Sequence, residues 1–214
     1  MTFKGVLFDL DGTLLDTNEL ILQSFQHTMR THYNRDADLA LATAYFGKPL
    51  RDALQEMGPD RVEELLRTYR EFNLLHHDEL AKVFGGVVET IQELYAQGLR
   101  MAIVTSKTRN TAIRGLKLFA MDKYFPVVIG HEDCQRHKPY PEPVRCALDK
   151  LGLPAADCLM VGDSPFDLAS ARSAGVKTAA VRWTAVPWEL LLAEKPDYIL
   201  ETMGDLLAVC GISR

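Results

Sequence analysis

The chain has little of what would tie it to an oxidising compartment, a membrane or a nucleic acid. Its 214 residues include four cysteines, Cys134, Cys146, Cys158 and Cys210, which are widely spaced and form no C-x-x-C. That argues against a disulfide framework or a structural zinc and fits reduced thiols in the cytoplasm. No apolar run approaches the roughly 20 residues of a membrane span, so no membrane partner is expected. The N-terminus has no basic stretch followed by a long apolar segment, so no secretory signal is expected. Basic charge is not in excess: 24 Lys and Arg face 29 Asp and Glu, for a formal net charge of −5. A nucleic-acid footprint needs clustered Lys and Arg, so no nucleic-acid partner is expected either. Any anionic substrate must therefore meet a local basic pocket or a metal. Internal repeats and low-complexity tracts are also missing.

What is present is enough apolar sequence for a core, 47% of residues, with 25% charged residues for a soluble surface. The chain divides into two kinds of segment. From Thr17 to about Ala81 the pattern is helical. Thr17 or Asn18 can cap a helix beginning at Glu19, Pro49 opens a stretch through Met57, a third runs from Asp60 to about Phe72, and a fourth from Leu74 to Lys82. After Gly85-Gly86 short apolar runs alternate with amphipathic segments, as in Met101–Thr105, Val127–Ile129, Cys158–Gly162, Thr178–Val181 and Tyr198–Leu200. Buried strands alternating with helices imply an α/β class with a Rossmann-like parallel sheet covered on both faces. The expected division is a core of residues 1–15 and 84–214 and an inserted all-helical cap of residues 16–83, hinged at Leu15-Asp16 and Phe84-Gly85-Gly86.

The first apolar run, Gly5-Val6-Leu7-Phe8, delivers Asp9 and Asp11 and then breaks at Gly12-Thr13. Two acids at the end of a buried strand are costly unless a cation or a proton satisfies them. In an open parallel sheet, ligands bind beyond the C-terminal strand ends. Three further polar clusters fall at or just after such ends: Thr105-Ser106-Lys107, Lys138-Pro139, and Gly162-Asp163-Ser164 with Asp167. Each alone has a plain reading as a turn, a helix cap or a loop lysine. Together and in order they point to phosphoryl chemistry. Asp9, Asp163 and Asp167 offer the hard oxygens Mg²⁺ prefers. Thr105 offers a hydroxyl and Ser106 a backbone N–H to phosphoryl oxygens. Lys138 offers a fixed positive charge, and Gly12 fits a tight turn whose N–H can face phosphate.

These motifs resemble the haloacid dehalogenase superfamily of phosphatases and phosphomutases. Phe8-Asp9-Leu10-Asp11-Gly12-Thr13-Leu14 is similar to its first motif, Ile103-Val104-Thr105 to the second, Lys138-Pro139 to the third and Gly162-Asp163-Ser164-Pro165-Phe166-Asp167 to the fourth. The resemblance implies Asp9 as nucleophile and Mg²⁺ ligand, and Asp11 as general acid/base with its backbone carbonyl on the metal. It implies Thr105 as a phosphate ligand and Lys138 as the partner of Asp9. Asp163 becomes a metal ligand, with Asp167 a ligand or its support. An aspartate at position 11 implies phosphoryl transfer rather than dehalogenation.

More particular stretches resemble the bacterial PpaX-type inorganic pyrophosphatases, with phosphoglycolate phosphatases as near neighbours. They are Asp16-Thr17-Asn18-Glu19-Leu20-Ile21, Phe72-Asn73 with His77-Asp78, Gly115-Leu116-Lys117-Leu118, Pro141-Glu142-Pro143-Val144 and Asp205-Leu206-Leu207. The implied substrate is a small phosphorylated molecule, pyrophosphate or phosphoglycolate, and the implied state a monomer or weak dimer. A compact, highly charged leaving group needs cationic partners, for which Lys48, Arg51, Lys107 and Arg109 are candidates. A phosphomutase and a catalytically idle binding protein are the competing readings. The six histidines show no H-E-x-x-H spacing. They read as surface or packing residues, with His77-Asp78 as a hinge or cap contact, and Trp183 and Trp188 read as packing.

Overall fold

A computed structural model describes residues 2–212. The first strand, β1 (Gly5–Phe8), is buried along its whole length and leads directly into the acidic turn. A two-residue strand, β2 (Leu15–Asp16), follows. The chain then leaves the sheet for four helices, α1 (Asn18–Tyr33), α2 (Leu39–Ala44), α3 (Leu50–Met57) and α4 (Val62–Leu80), and returns through β3 (Lys82–Val83). Strands β2 and β3 pair antiparallel, Leu15 opposite Val83 and Asp16 opposite Lys82, so the helical insertion enters and leaves through one two-stranded neck.

The remainder alternates helices and strands. It comprises α5 (Val87–Ala96), β4 (Arg100–Val104), α6 (Arg109–Leu118), β5 (Val127–Ile129), α7 (Glu142–Leu151), β6 (Cys158–Gly162), α8 (Pro165–Ser173), β7 (Lys177–Val181), α9 (Trp188–Ala193), β8 (Tyr198–Leu200) and α10 (Asp205–Val209). The six-stranded sheet runs β5-β4-β1-β6-β7-β8, and every pairing is parallel. Its central strand β1 lies between β4 and β6, with Phe8 opposite Ile103 and Val161. The C-terminal ends of three strands therefore meet where the first, second and fourth motifs begin.

Side chains alternate across the two faces of β1. Val6 and Phe8 join a cluster with Ile91, Leu94 and Leu116, while Leu7 faces Val144, Leu148 and Met160. The helical insertion has its own core, in which Phe25, Leu54, Leu65 and Tyr69 meet. One cluster crosses between the two: Phe46, from the loop before α3, packs with Leu168, Ala180, Val186 and Leu191. No helix among the described residues is long and apolar enough to cross a membrane.

Two expectations are corrected in the insertion, and one helix is added to it. The third and fourth helices are one, α4, unbroken through Asn73. Asn73 is buried and its Nδ2 donates to Ser24 Oγ on α1 at 3.2 Å. A side chain satisfied across the helix pair does not compete for its own backbone, which is how Asn usually interrupts a helix. The short α2 was not foreseen. Asp38 caps it by accepting from the Leu41 N–H at 3.1 Å. Thr17 does not cap α1 with its hydroxyl, which is engaged in the site below.

Candidate active site

The site forms at the C-terminal ends of β1, β4 and β6, where the chain must turn away from a fully buried sheet. Asp9, Lys138, Asp163 and Asp167 are all buried. Lys138 donates to Asp9 Oδ1 at 2.7 Å, to Asp167 Oδ1 at 2.6 Å and to the Val104 carbonyl at 3.1 Å. A residue 129 positions from Asp9 in sequence is thus held at the end of β4 by one neutral and two charged acceptors. Burial alone would lower the Lys138 ammonium, but Asp167 and Asp9 outweigh it and hold its pKa above the usual lysine range.

Oxygens of Asp9, Asp163 and Asp167 lie within 4.8 Å of one another. Three carboxylates against one ammonium leave two negative charges unbalanced, the deficit a divalent cation removes. The consequence is visible in the acids. Burial, chiefly, pushes Asp9 up to about 7, with Lys138 pulling down and Asp167 pushing up. Burial, then Asp9 and Asp167, raise Asp163 well above the carboxylate range. Asp163 is also poorly satisfied for a buried side chain. Its carboxylate accepts only from Thr13 Oγ1 at 3.4 Å and from Thr184 Oγ1 at 3.5 Å. A buried carboxylate with only long contacts, beside Asp9, fits a hard divalent cation.

Asp167 has a different task. Its Oδ1 is taken by Lys138, and its Oδ2 accepts from the backbone N–H and the hydroxyl of Ser164 at 3.0 and 2.6 Å. Ser164 in turn caps α8. The capping reading of this motif holds, and the cap reaches into the cluster: it fixes Asp167, and Asp167 fixes Lys138.

Asp11 is set apart from this cluster. Its Oδ1 accepts from Lys107 Nζ and from Thr17 Oγ1, both at 2.6 Å. Burial would raise its pKa, but the Lys107 charge and the bonds from Lys107 and Thr17 outweigh burial and leave it lowered. Its side chain is therefore absent from the carboxylate trio. Thr105, at the end of β4, is buried, and its hydroxyl accepts from the Lys107 N–H at 3.2 Å.

Above these groups lies a cavity of about 350 Å³, floored by Asp9, Asp11 and Thr105 and roofed by Tyr45–Lys48 and α4. The roof touches the floor directly: Ser106 Oγ donates to the Gly47 carbonyl at 2.9 Å. Gly47 has φ +80°, and a Cβ there would come within 2.5 Å of Ser164 Oγ, so only glycine lets this loop approach so closely.

The structure separates the proposed substrate contacts. Lys48 and Arg51 line the cavity, but each is paired within the insertion, Lys48 with Glu56 and Arg51 with Glu63 at 2.6 Å. Arg109 is not brought to the cavity wall. Its side chain is paired with Asp133 and its backbone N–H meets Glu132 at 3.1 Å. Gly12 is corrected as a phosphate donor, because its N–H already donates to the Leu15 carbonyl at 2.8 Å. Gly12 serves by lacking a side chain: at φ +80° its Cβ would lie 2.1 Å from Asp163 Oδ2.

Sequence reasoning missed Arg70, Tyr69, Asn73 and His131, which also line the cavity. Tyr69 and Asn73 share one α4 face, so the helical period was the available signal. His131 follows β5 and stacks on His137 at 4.0 Å. His77, at the neck, is buried. Its Nδ1 is 2.8 Å from Asp78 Oδ1, and Arg114 of α6 grips Asp78 at 2.9 and 3.0 Å. This joins α4 to α6. His77 Nε2 is the one buried side-chain polar atom without a hydrogen-bond partner among the described residues.

Residues 6–181 match the family model of haloacid dehalogenase-like hydrolases. A pyrophosphatase PpaX from Halalkalibacterium halodurans is 43% identical over 212 residues, covering 99% of each chain. One from Bacillus cereus is 45% identical over 209 residues, covering 98% of this chain and 97% of its own. Among solved structures, a predicted phosphoglycolate phosphatase from Haemophilus somnus superposes with a TM-score of 0.85 at 26% identity, covering 98% of both chains. Motifs gathered at the strand ends, a family match over most of the sequence and relatives of equal length agree, and the chain belongs to the haloacid dehalogenase-like hydrolases.

Proposed function

We propose that the protein hydrolyses inorganic pyrophosphate to phosphate, with Mg²⁺ bound by Asp9, Asp163 and the Asp11 carbonyl. The observation that carries this reading is the buried Asp9, which lines the cavity floor, is held by Lys138 and lies beside a second, poorly satisfied carboxylate, Asp163. Full-length similarity to pyrophosphatases supports the substrate.

Bound Mg²⁺ would screen phosphate charge so that an anionic nucleophile can approach. Asp9 attacks one phosphorus, the bridging P–O bond breaks, and Asp11 gives its proton to the departing phosphate. Asp11 then takes a proton from water, whose oxygen attacks the aspartyl-phosphate and releases Asp9. Lys107 and Thr17 hold Asp11 as the carboxylate, the form the second step needs. For the first step Asp11 must carry a proton, against the pull of Lys107 and Thr17 that leaves its pKa lowered. Lys138 stays charged throughout and keeps Asp9 aligned. Thr105 and the Ser106 N–H would take phosphoryl oxygens. The helical unit acts as a cap that excludes water during turnover and opens for release. Four free thiols suit a cytoplasmic setting.

A phosphate-release panel with Mg²⁺, comparing pyrophosphate, phosphoglycolate and sugar phosphates, tests the substrate. Pyrophosphate is expected to lead. Phosphoglycolate is the second reading, favoured by the solved neighbour, and its clear lead would replace the first.

A further inference from the structure

The basic side chains lining the cavity are not equivalent. Lys48 is paired with Glu56, Arg51 with Glu63 and Lys107 with Asp11. Among the described Lys and Arg residues on its wall, Arg70 alone has no hydrogen bond or ion pair. It projects from α4 beside Tyr69, whose ring is buried, while Arg70 itself is exposed. Its charge reaches across the mouth to His131, where burial, His137 and Arg70 together hold the imidazole below its ordinary pKa. His131 is fixed to the floor, since its N–H donates to the Lys107 carbonyl at 2.9 Å.

Pyrophosphate presents two anionic groups. The group under attack would be met by Lys138 and by the cation that Asp9 and Asp163 would hold. The other must leave as phosphate and gains charge as the P–O bond breaks. A guanidinium offers two parallel N–H donors to such a group. Lys48 and Arg51 would have to give up a carboxylate first, and Arg70 would not. We infer that Arg70 is the specificity residue that takes the distal, departing phosphate, and that Lys48 and Arg51 instead brace the roof. This rests on the pyrophosphate reading above.

The test is steady-state kinetics with Mg²⁺ on pyrophosphate and on phenyl phosphate, which has no second anionic group. Arg70→Gln is expected to raise KM for pyrophosphate about 10- to 100-fold, the scale of a lost charged hydrogen bond, and to leave phenyl phosphate within about twofold. Arg70→Lys recovers part of the loss, and Lys48→Gln and Arg51→Gln leave the ratio of the two substrates unchanged. Equal losses on both substrates in Arg70→Gln, or an unchanged KM for pyrophosphate, overturn the inference. A shift of the substrate ratio by Lys48→Gln or Arg51→Gln instead of Arg70→Gln also overturns it. Should the wild type act on phosphoglycolate and not on pyrophosphate, the substrate reading falls by itself. Arg70 then stands as the anchor of the departing anion if Arg70→Gln lowers the phosphoglycolate to phenyl phosphate ratio, and falls if that ratio holds.

Discussion

Asp9 and Asp163 show how one buried residue sets the state of another. Each is raised by burial and by its carboxylate neighbours, and only Lys138 opposes this. Asp9→Asn keeps the shape and removes the proposed nucleophile, so turnover of every substrate is expected to vanish while the circular dichroism spectrum is unchanged; residual Mg²⁺-dependent phosphate release would contradict the mechanism. Lys138→Met is a different experiment. It leaves Asp9 and Asp167 buried without their counter-ion, which costs about 3–5 kcal/mol in comparable cases, and urea denaturation reads it directly. His77 carries a pH signature. Burial is the largest influence and holds its pKa below the ordinary 6.5, with Lys107 adding to it and Asp78 opposing. The fold favours the neutral ring, so its contribution is complete above about pH 6.5 and declines as pH falls, because the unfolded chain binds the proton more readily. In His77→Gln the loss of unfolding free energy between pH 6.5 and 5 should be shallower by at most about 1.4 kcal/mol per pH unit.

Single elements do double duty around the site. Helix α8 begins with a capping box in which Ser164 and Asp167 exchange bonds, and the same Asp167 holds Lys138. Ser164→Ala is therefore expected to cost about 1–3 kcal/mol, a lost cap plus a buried carboxylate short of a donor, and to lower activity as well. The β1 turn was legible in advance because its chemistry is local: an apolar run, two acids and a glycine stand within nine residues. The continuity of α4 was not legible, because the partner that satisfies Asn73 lies 49 residues away. Thr17 reads as a cap from its neighbours, yet Asp11 across the turn takes its hydroxyl. The Sγ atoms of Cys134 and Cys146, unremarkable in spacing, come to 3.7 Å in space with both thiols free.

For the whole molecule, the insertion and the sheet are coupled at three places: the β2–β3 neck, the Arg114–Asp78 grip and the Phe46 cluster with the Gly47 loop above the site. A ligand bound between roof and floor binds only the folded chain, so Mg²⁺ with phosphate at about 100 times Kd should add about 2.7 kcal/mol. At about 2–4 °C per kcal/mol for this size, differential scanning fluorimetry should show a clear rise in Tm, reversed by a chelator. Asp163→Asn should abolish the metal-dependent part of that shift without any assay of turnover.

The sequence by itself determined which polar groups gather at the strand ends. Asp9, Asp11, Thr105, Lys138, Asp163 and Asp167 each sit beside a strand or turn whose local pattern announces them, and a parallel sheet has one end at which such groups can converge. Only the tertiary structure decided what each charge is free to do. Asp11 is tied to Lys107 over 96 positions, Arg109 to Asp133, and Lys48 and Arg51 to acids of their own unit. Which cations around the cavity already hold a carboxylate of their own is a property of distances, and it left Arg70 open while Lys48, Arg51 and Arg109 are engaged.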